Sequence, residues 1–232
     1  MEFLENSYFL LALTFVVFVG ARQLFVRTGI ALLNPILVSV TVLIAFLYGA
    51  GIPYEKYTAG GGIVEFWLKP AVVALGVPLY RQLSTIRKQL LPILLAELAG
   101  CIAGIISVVL IADLLGATRE VVLSLASKSV TTPIAMEVTA AVGGIPPLTA
   151  AVVVCVGIFG GMTGFRVMYL TRVHSPMAQG LSIGTAAHAL GTSAAIDTGG
   201  HRYGAWASLG LTINGLFTAL LTPTILELFG YL

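Results

Sequence analysis

A lysine lies in the middle of an apolar stretch of this sequence, next to hydroxyl groups and a helix-breaking residue. Lys128 is followed within five positions by three hydroxyls and a proline, namely Ser129, Thr131, Thr132 and Pro133. A lysine at membrane depth costs about 2.5–3.5 kcal/mol on insertion scales, so it usually faces a partner or a wet cavity. A half-helix that starts at Thr132 and Pro133, with the threonine as its cap, would aim free N–H groups at the same place. The pattern predicts an anion-binding site, although Lys128 reaching the membrane interface is the simpler alternative.

A second apolar stretch is interrupted by the sequence GTAAHALGT, which has His188 at its centre. The small residues on both sides would let a ligand approach the backbone closely. An imidazole that titrates near pH ~6.5 also suits a proton relay. Three hydroxyls near the histidine are therefore further candidates for substrate binding: Thr185, Thr192 and Ser193. The alternative is a histidine that only packs in the core.

Three acidic residues lie in or beside these apolar stretches. Glu97 is inside an uninterrupted run, Glu137 follows the first interruption by one turn, and Asp197 follows the second. Carboxylates at membrane depth could neutralise Lys128, carry protons or bind a cation. Together with His188 they are the candidates for proton or ion coupling, although Asp197 also fits a solvated loop.

The composition excludes a water-soluble protein. Of 232 residues, 58% are hydrophobic and 9% are charged, with a mean hydropathy of +1.00, whereas soluble domains have about 25% charged residues. A net charge of +2 is too small to indicate the basic surface that binds nucleic acid. The sequence contains no nucleophile motif, nucleotide loop, metal-ligand spacing or disulfide framework. We therefore expect an all-α polytopic membrane protein that is not an enzyme, has no metal or cofactor and binds no nucleic acid.

The apolar stretches predict how the chain is arranged. Five are uninterrupted and long enough to be candidate spans, at 8–21, 33–51, 90–112, 146–165 and 204–226. Three are interrupted, at 63–80, 121–142 and 177–196. Irregular backbone is tolerated in a membrane only where it is buried in protein or lines a wet cavity. The interruptions are therefore predicted to point inward.

The basic loops predict the orientation of these segments. The positive-inside rule places on the cytoplasmic side Arg22, Arg27, Arg81, Arg87, Lys88, Arg166 and Arg172. This predicts six full crossings and two opposed re-entrant elements at 121–142 and 177–196, with both termini outside. Two broken helices that cross at the midplane are the alternative.

The chain is expected to form a single transmembrane domain, 1–232, that contains a repeat. Residues 132–137 align weakly with 192–197 at a spacing of 60 residues. The repeat halves would be 63–165 and 166–232, or 120–165 and 180–226, and they could be inverted. Interrupted segments at corresponding positions of two halves are typical of a transport site.

Three motifs resemble the LrgB/CidB family of bacterial inner-membrane proteins, which is similar to the membrane domain of plastid glycolate/glycerate translocators. They are KPAVVALGVPLY at 69–80, SKSVTTPIAM at 127–136 and GTAAHALGT at 184–192, and the resemblance covers nearly the whole chain. It implies one of two functions. The first is a carrier for small carboxylates such as glycolate, glycerate or pyruvate. The second is an antiholin-like regulator of murein hydrolase export and cell lysis, with a small holin-like membrane partner.

The residues favour the carrier. Interrupted helices and a lysine among hydroxyls are features of a carrier, whereas a pore former needs amphipathic spans that oligomerise. We expect proton-coupled transport or exchange across the bacterial inner membrane, by a protein embedded in the lipid bilayer as a homo-oligomer.

Overall fold

A computed structural model of the chain describes residues 6–30, 33–61, 64, 66, 80 and 83–232. Over these residues the fold is entirely helical, which confirms the predicted class. The helices are α1 (Ser7–Thr28), α2 (Pro35–Ala50), α3 (Leu83–Lys88), α4 (Leu90–Leu114), α5 (Arg119–Leu125), α6 (Thr132–Ala141), α7 (Pro146–Leu170), α8 (Pro176–Gly199) and α9 (His201–Leu228). Almost all of the interrupted stretch predicted at 63–80 lies outside the described residues.

The chain divides into two compact units, Met1–Ala74 and Leu75–Leu232. In the first unit, α1 packs against α2. The Asn6 side chain caps α1 by accepting from two backbone N–H groups, and Asn34 caps α2 in the same way. The Thr14 and Tyr57 hydroxyls lie 3.1 Å apart, which ties a helical stretch at 54–61 to α1.

Four of the described helices are long and apolar enough to cross a membrane, and they are α1, α4, α7 and α9. Each contains one of the spans predicted from the sequence. A fifth apolar helix, α2, is shorter and covers the span predicted at 33–51. Because a helix needs about 20 residues to cross about 30 Å of hydrocarbon, these lengths agree with a multi-pass protein.

The interruption predicted at 121–142 is confirmed, and the chain there folds into an antiparallel hairpin. The Ser127 hydroxyl donates to the carbonyl of Ala135 at 3.1 Å and lies 3.1 Å from the Thr139 hydroxyl. Thr149 Oγ1 lies 2.8 Å from the Ser124 carbonyl oxygen and 2.9 Å from Thr139 Oγ1. These contacts bring α6 and the start of α7 back alongside residues 124–127, in reverse order. We call residues 119–141 hairpin 1, and its tip is 128–131.

The interruption predicted at 177–196 is also confirmed. Ala187 has φ −132° and ψ 17°, and His188 has φ 44° and ψ −136°, so α8 consists of two half-helices. Gly191 lies directly against the carbonyl oxygen of Ile183, although eight residues of continuous helix would separate the two by about 12 Å. The second half-helix therefore folds back along the first, and only glycine fits at position 191. We call residues 176–199 hairpin 2.

The hairpins enter a frame of long helices from opposite ends. Arg119 Nε donates to the Tyr231 carbonyl at 2.8 Å, and the Tyr231 hydroxyl donates to Asp113 Oδ1 at 2.6 Å. The end of α4, the start of hairpin 1 and the end of the chain therefore meet at one end of this unit, here called the upper end. This bond to Asp113 is the main reason why the pKa of Tyr231 is raised.

The opposite end of the unit, here called the lower end, contains residues 171–175 and Gly200. Since α7 runs from the base of hairpin 1 to the base of hairpin 2, the two hairpins point towards each other.

Candidate functional site

The tips of the two hairpins meet at one side chain, Asn214 of α9. Its Nδ2 donates to the Thr185 carbonyl at 3.0 Å and, over a longer 3.4 Å, to the Ser129 carbonyl. Asn214 is 1% exposed. A primary amide has two N–H donors, so each hairpin takes one. The position of both tips is therefore set by the same amide.

A cavity of about 570 Å³ lies beside this contact, between α4, the tip of hairpin 1, the first half of α8, and α9. Two oppositely charged side chains line it, Lys128 and Glu97. Its other polar lining residues are Ser129, Ser182, Thr185, Asn214 and Thr218. The cavity thus combines one cation, one carboxyl group and several uncharged hydrogen-bonding groups.

Lys128 is half-buried, and its Nζ donates to Ser129 Oγ at 3.0 Å. Within the part of the chain that the structure describes, no carboxylate oxygen lies within 4.0 Å of Lys128 Nζ, the limit for a salt bridge. An ammonium group has three donors, and the serine takes one. The remaining N–H groups of Lys128 are therefore available to a ligand in the cavity.

Glu97 is 2% exposed and lies on α4, whereas Lys128 lies at the tip of hairpin 1. Its Oε2 accepts from Thr185 Oγ1 at 2.5 Å, a length typical of a hydroxyl bound to a carboxylate. The structure thus places Glu97 and Lys128 in one cavity without pairing them.

A second cavity, of about 630 Å³, lies on the α7 side of hairpin 2. Lys128, Ser182 and Ala186 line both cavities. The remaining lining of the second cavity comes mostly from α7, between Cys155 and Met168. Lys128 therefore lies at the boundary between a more polar cavity and a more apolar one.

Both cavities lie between the hairpin tips and the lower end. The lining of α4 runs from Pro92 to Ile105, and that of α7 from Cys155 to Met168. The upper half is filled instead by a hydrophobic cluster that includes Val109, Val122, Leu123, Ala112, Ile225 and Leu226. The buried hydroxyls inside hairpin 1 hydrogen-bond to one another and to backbone carbonyls. Packed apolar side chains therefore lie on the upper side of Lys128, and the two cavities lie on its lower side.

The predicted cap of α6 is corrected by one residue. Thr131 is the N-cap, Thr132 is the first helical residue, and the cap makes no side-chain hydrogen bond. A proline fits anywhere in the first helical turn because its missing N–H has no partner there, so Pro133 did not fix the start. Thr131 and Thr132 line neither of the two cavities.

His188 also lies away from the two cavities. It is 3% exposed, and its Nε2 lies 2.9 Å from the Val153 carbonyl oxygen. Thr192 Oγ1 donates to the His188 carbonyl at 3.0 Å, and Ser193 is exposed. None of these three residues lines either cavity. The histidine joins the turn of hairpin 2 to α7, as a packing residue would.

Glu137 and Asp197 are both exposed on helix surfaces and line neither cavity. Asp197 lies in the last turn of α8 and not in the loop that its sequence suggested. Along 6–30, 33–61 and 83–232, no group of three His, Cys, Asp or Glu side chains could hold a metal ion.

The sequence interpretation missed three lining residues, Ser182, Asn214 and Thr218. Asn214 and Thr218 are four residues apart in an apolar helix, which puts both on one face. Ser182 has the same relation to Thr185, at a spacing of three. Polar residues at helical spacing within an apolar run were the sequence feature that could have identified these lining residues.

Comparison with known proteins decides the family. The sequence model of the LrgB-like family matches residues 14–228. That range includes both hairpins, the three long helices around them and both cavities. The chain belongs to the LrgB-like family. It is a multi-pass membrane protein, given this family and the apolar helices described above.

Relatives match this LrgB-family chain over nearly its whole length. Protein YwbG of Bacillus subtilis is 35% identical over 217 residues, which are 94% of this chain and 96% of YwbG. The Antiholin-like protein LrgB of Bacillus cereus is 33% identical over 202 residues, 87% of either chain. No solved structure matches the chain.

Proposed function

We propose that this LrgB-family protein is a carrier for small carboxylates of the size of glycolate, glycerate or pyruvate. The observation that supports it is Lys128, which has free N–H donors at the point where two opposed hairpin tips meet. Irregular half-helices that meet near the midplane are the usual place for a transporter's substrate. A carboxylate would accept from Lys128, while its hydroxyl or keto oxygen would bond to Ser129.

The size of the first cavity fits such a ligand. Its volume of about 570 Å³ is within the roughly 300–1,000 Å³ typical of small-molecule sites. An acid of two or three carbons would share this space with several waters, each of which takes about 30 Å³. Small residues at Ala96, Gly100 and Gly104 leave that room on the α4 side.

The proposed topology keeps the six full crossings predicted from the sequence. Five of them correspond to α1, α2, α4, α7 and α9, and the sixth is the prediction at 63–80, which lies almost wholly outside the described residues. Hairpins 1 and 2 enter from opposite sides without crossing. Arg87, Lys88 and Arg172 flank the lower end, so the positive-inside rule makes it cytoplasmic and leaves both termini outside. Hairpin 1 with α7 and hairpin 2 with α9 would then be inverted repeats, close to 120–165 and 180–226. The membrane would be the bacterial inner membrane.

Charge balance in the cavity favours coupling to a proton. If Lys128 and Glu97 are both charged, a substrate anion would add an uncompensated negative charge. A proton on Glu97 removes that charge and leaves Lys128 for the substrate. It also removes the opposing work of about 2.3 kcal/mol per charge per 100 mV that an anion meets on entering a negative-inside cell. Exchange of one anion for another is the alternative way to avoid that cost.

A second candidate function is an antiholin-like role, because relatives with matched length are called antiholin-like proteins. In that role the protein would bind a small holin-like membrane partner and regulate murein hydrolase export. In either role it would be a homo-oligomer without enzymatic activity, metal or nucleic acid.

Flux through liposomes tests the carrier function and distinguishes it from a pore. The purified protein would be reconstituted with unlabelled glycolate inside, and entry of labelled glycolate would be followed beside a trapped, unrelated anionic dye. A carrier accelerates labelled uptake and retains the dye, whereas a pore releases the dye. If neither glycolate nor pyruvate enters faster than in protein-free liposomes, the carrier proposal is wrong.

A further inference from the structure

The Thr185 hydroxyl has two acceptors but one hydrogen. Its Oγ1 lies 2.5 Å from Glu97 Oε2 and 2.8 Å from the carbonyl oxygen of Leu181, one turn earlier in α8. A hydroxyl can donate only one hydrogen bond at a time. Which of the two acceptors receives it depends on whether Glu97 is charged.

A charged Glu97 takes the hydrogen, because hydrogen bonds to an ionised acceptor are about twice as strong as neutral ones. A protonated Glu97 has a hydrogen of its own to donate to Thr185 Oγ1. The threonine then donates back to Leu181, a bond that tends to bend helices. Protonation of Glu97 would thus change the last turn of the first half-helix, just before the break at Ala187 and His188.

A hydrogen-bonded path leads from this turn to the lysine. The Thr185 carbonyl accepts from Asn214, which also donates to the Ser129 carbonyl, and Ser129 Oγ accepts from Lys128. Among the described residues, the titratable groups that line the first cavity besides Glu97 are Lys128 and Cys101. No titratable side chain of α8 or α9 lines that cavity.

We propose that Thr185 and Asn214 link the protonation of Glu97 to the position of Lys128, so that Thr185 is the residue through which a proton controls anion binding. This rests on the proposed carrier function. Thr185 acts here as a positioning residue, and Asn214 as the node that joins the two hairpins. Binding of an anion at Lys128 changes the hairpin 1 tip, and the same path carries that change back to Glu97.

Transport by the reconstituted full chain tests the link with glycolate as the probe. Two rates are compared: uptake driven by an imposed pH gradient, and exchange at equal pH on both sides. Thr185→Val keeps the side-chain shape and removes the hydroxyl. We expect it to retain exchange while the ratio of gradient-driven uptake to exchange falls about tenfold, the factor expected for losing a hydrogen bond to a charged group.

Two substitutions serve as controls. Thr185→Ser restores the hydroxyl and should keep the wild-type ratio. Thr212→Val removes a hydroxyl whose hydrogen bond, among the described residues, stays within α9 at the Ser208 carbonyl, and it should also keep the ratio. Combining Thr185→Val with Glu97→Gln should lower the ratio no further than Glu97→Gln alone, because both changes act on one link. A wild-type ratio in Thr185→Val, or additive effects in the double variant, would overturn the proposal.

Infrared spectroscopy tests the first step of the link, the hydrogen bond between Glu97 and Thr185, without any transport. Infrared difference spectra between low and high pH should contain a carboxyl C=O band that Glu97→Gln removes. In Thr185→Val that band should shift, and in Thr185→Ser and Thr212→Val it should stay in place. An absent or unshifted band contradicts the link even if glycolate is transported. A shifted band in a protein that moves no carboxylate would instead support the Glu97–Thr185 step of the link and refute the carrier function.

Discussion

Gly180 should be one of the least replaceable residues of hairpin 2, because α9 crosses directly over it. A Cβ at this position would lie 2.5 Å from Trp206 Cβ, 2.8 Å from the Tyr203 carbonyl oxygen and 3.2 Å from the Ala207 N. Carbon atoms in contact prefer about 3.5–4.0 Å. Two of the three obstructing atoms belong to the backbone, so rotamer changes cannot relieve the clash and α8 must move away from α9 by about 1 Å.

Overpacking of this kind costs about 1–3 kcal/mol, so we expect Gly180→Ala to lower the free energy of unfolding by that amount. The matched control is Gly104→Ala on α4, where an added Cβ meets no atom of the described residues within 4 Å. It should be neutral or gain up to about 1 kcal/mol from helix propensity. The assay is reversible unfolding in mixed detergent and SDS micelles, followed by tryptophan fluorescence. Equal stability of the two variants would refute the close packing of hairpin 2 on α9.

Two further predictions follow from the polar contacts and the cavities. Asn214→Leu leaves two carbonyls without their donor and should lower stability by about 1–2 kcal/mol in the same unfolding assay, whereas Thr212→Val should change it by less than about 0.5 kcal/mol. Cys155 is exposed in the second cavity and Cys101 is buried. In the folded protein, Cys155→Ser should therefore remove most of the labelling by a membrane-permeant maleimide, and Cys101→Ser should remove little. The labelling is measured by mass spectrometry, and the opposite pattern would contradict the placement of α7.

The fold was predictable where one physical rule decided the outcome. Long apolar runs without a helix-breaking interruption became the long apolar helices, since hydrocarbon demands internally satisfied backbone. The breaks at 126–131 and at Ala187 and His188 were visible as polar or small residues inside apolar runs. Each interrupted segment also folds back on itself. This reversal depends on contacts such as Gly191 against Ile183, which cannot be read from a single sequence.

The site was predictable in its charges and less so in its neutral groups. The structure places Lys128, Ser129, Thr185 and Glu97 in one cavity, and these were all candidates. It leaves out Thr132, Thr192 and His188. Thr192 bonds to the His188 carbonyl and His188 to the Val153 carbonyl, because a polar side chain next to a break can bond to backbone as readily as to a ligand. Asn214 is a contact between helices. Its second donor, which reaches the other hairpin, depends on tertiary packing.

The most direct test of the central claim is glycolate exchange by two lysine variants in liposomes. Lys128→Met keeps the side-chain length and removes the charge, and Lys88→Met does the same at an exposed lysine at the end of α3. Both variants would be checked for equal insertion and oligomeric state before exchange is measured. We expect exchange to be abolished in Lys128→Met and to be retained in Lys88→Met. Wild-type exchange in Lys128→Met would show that this lysine does not bind the substrate, and would contradict the account.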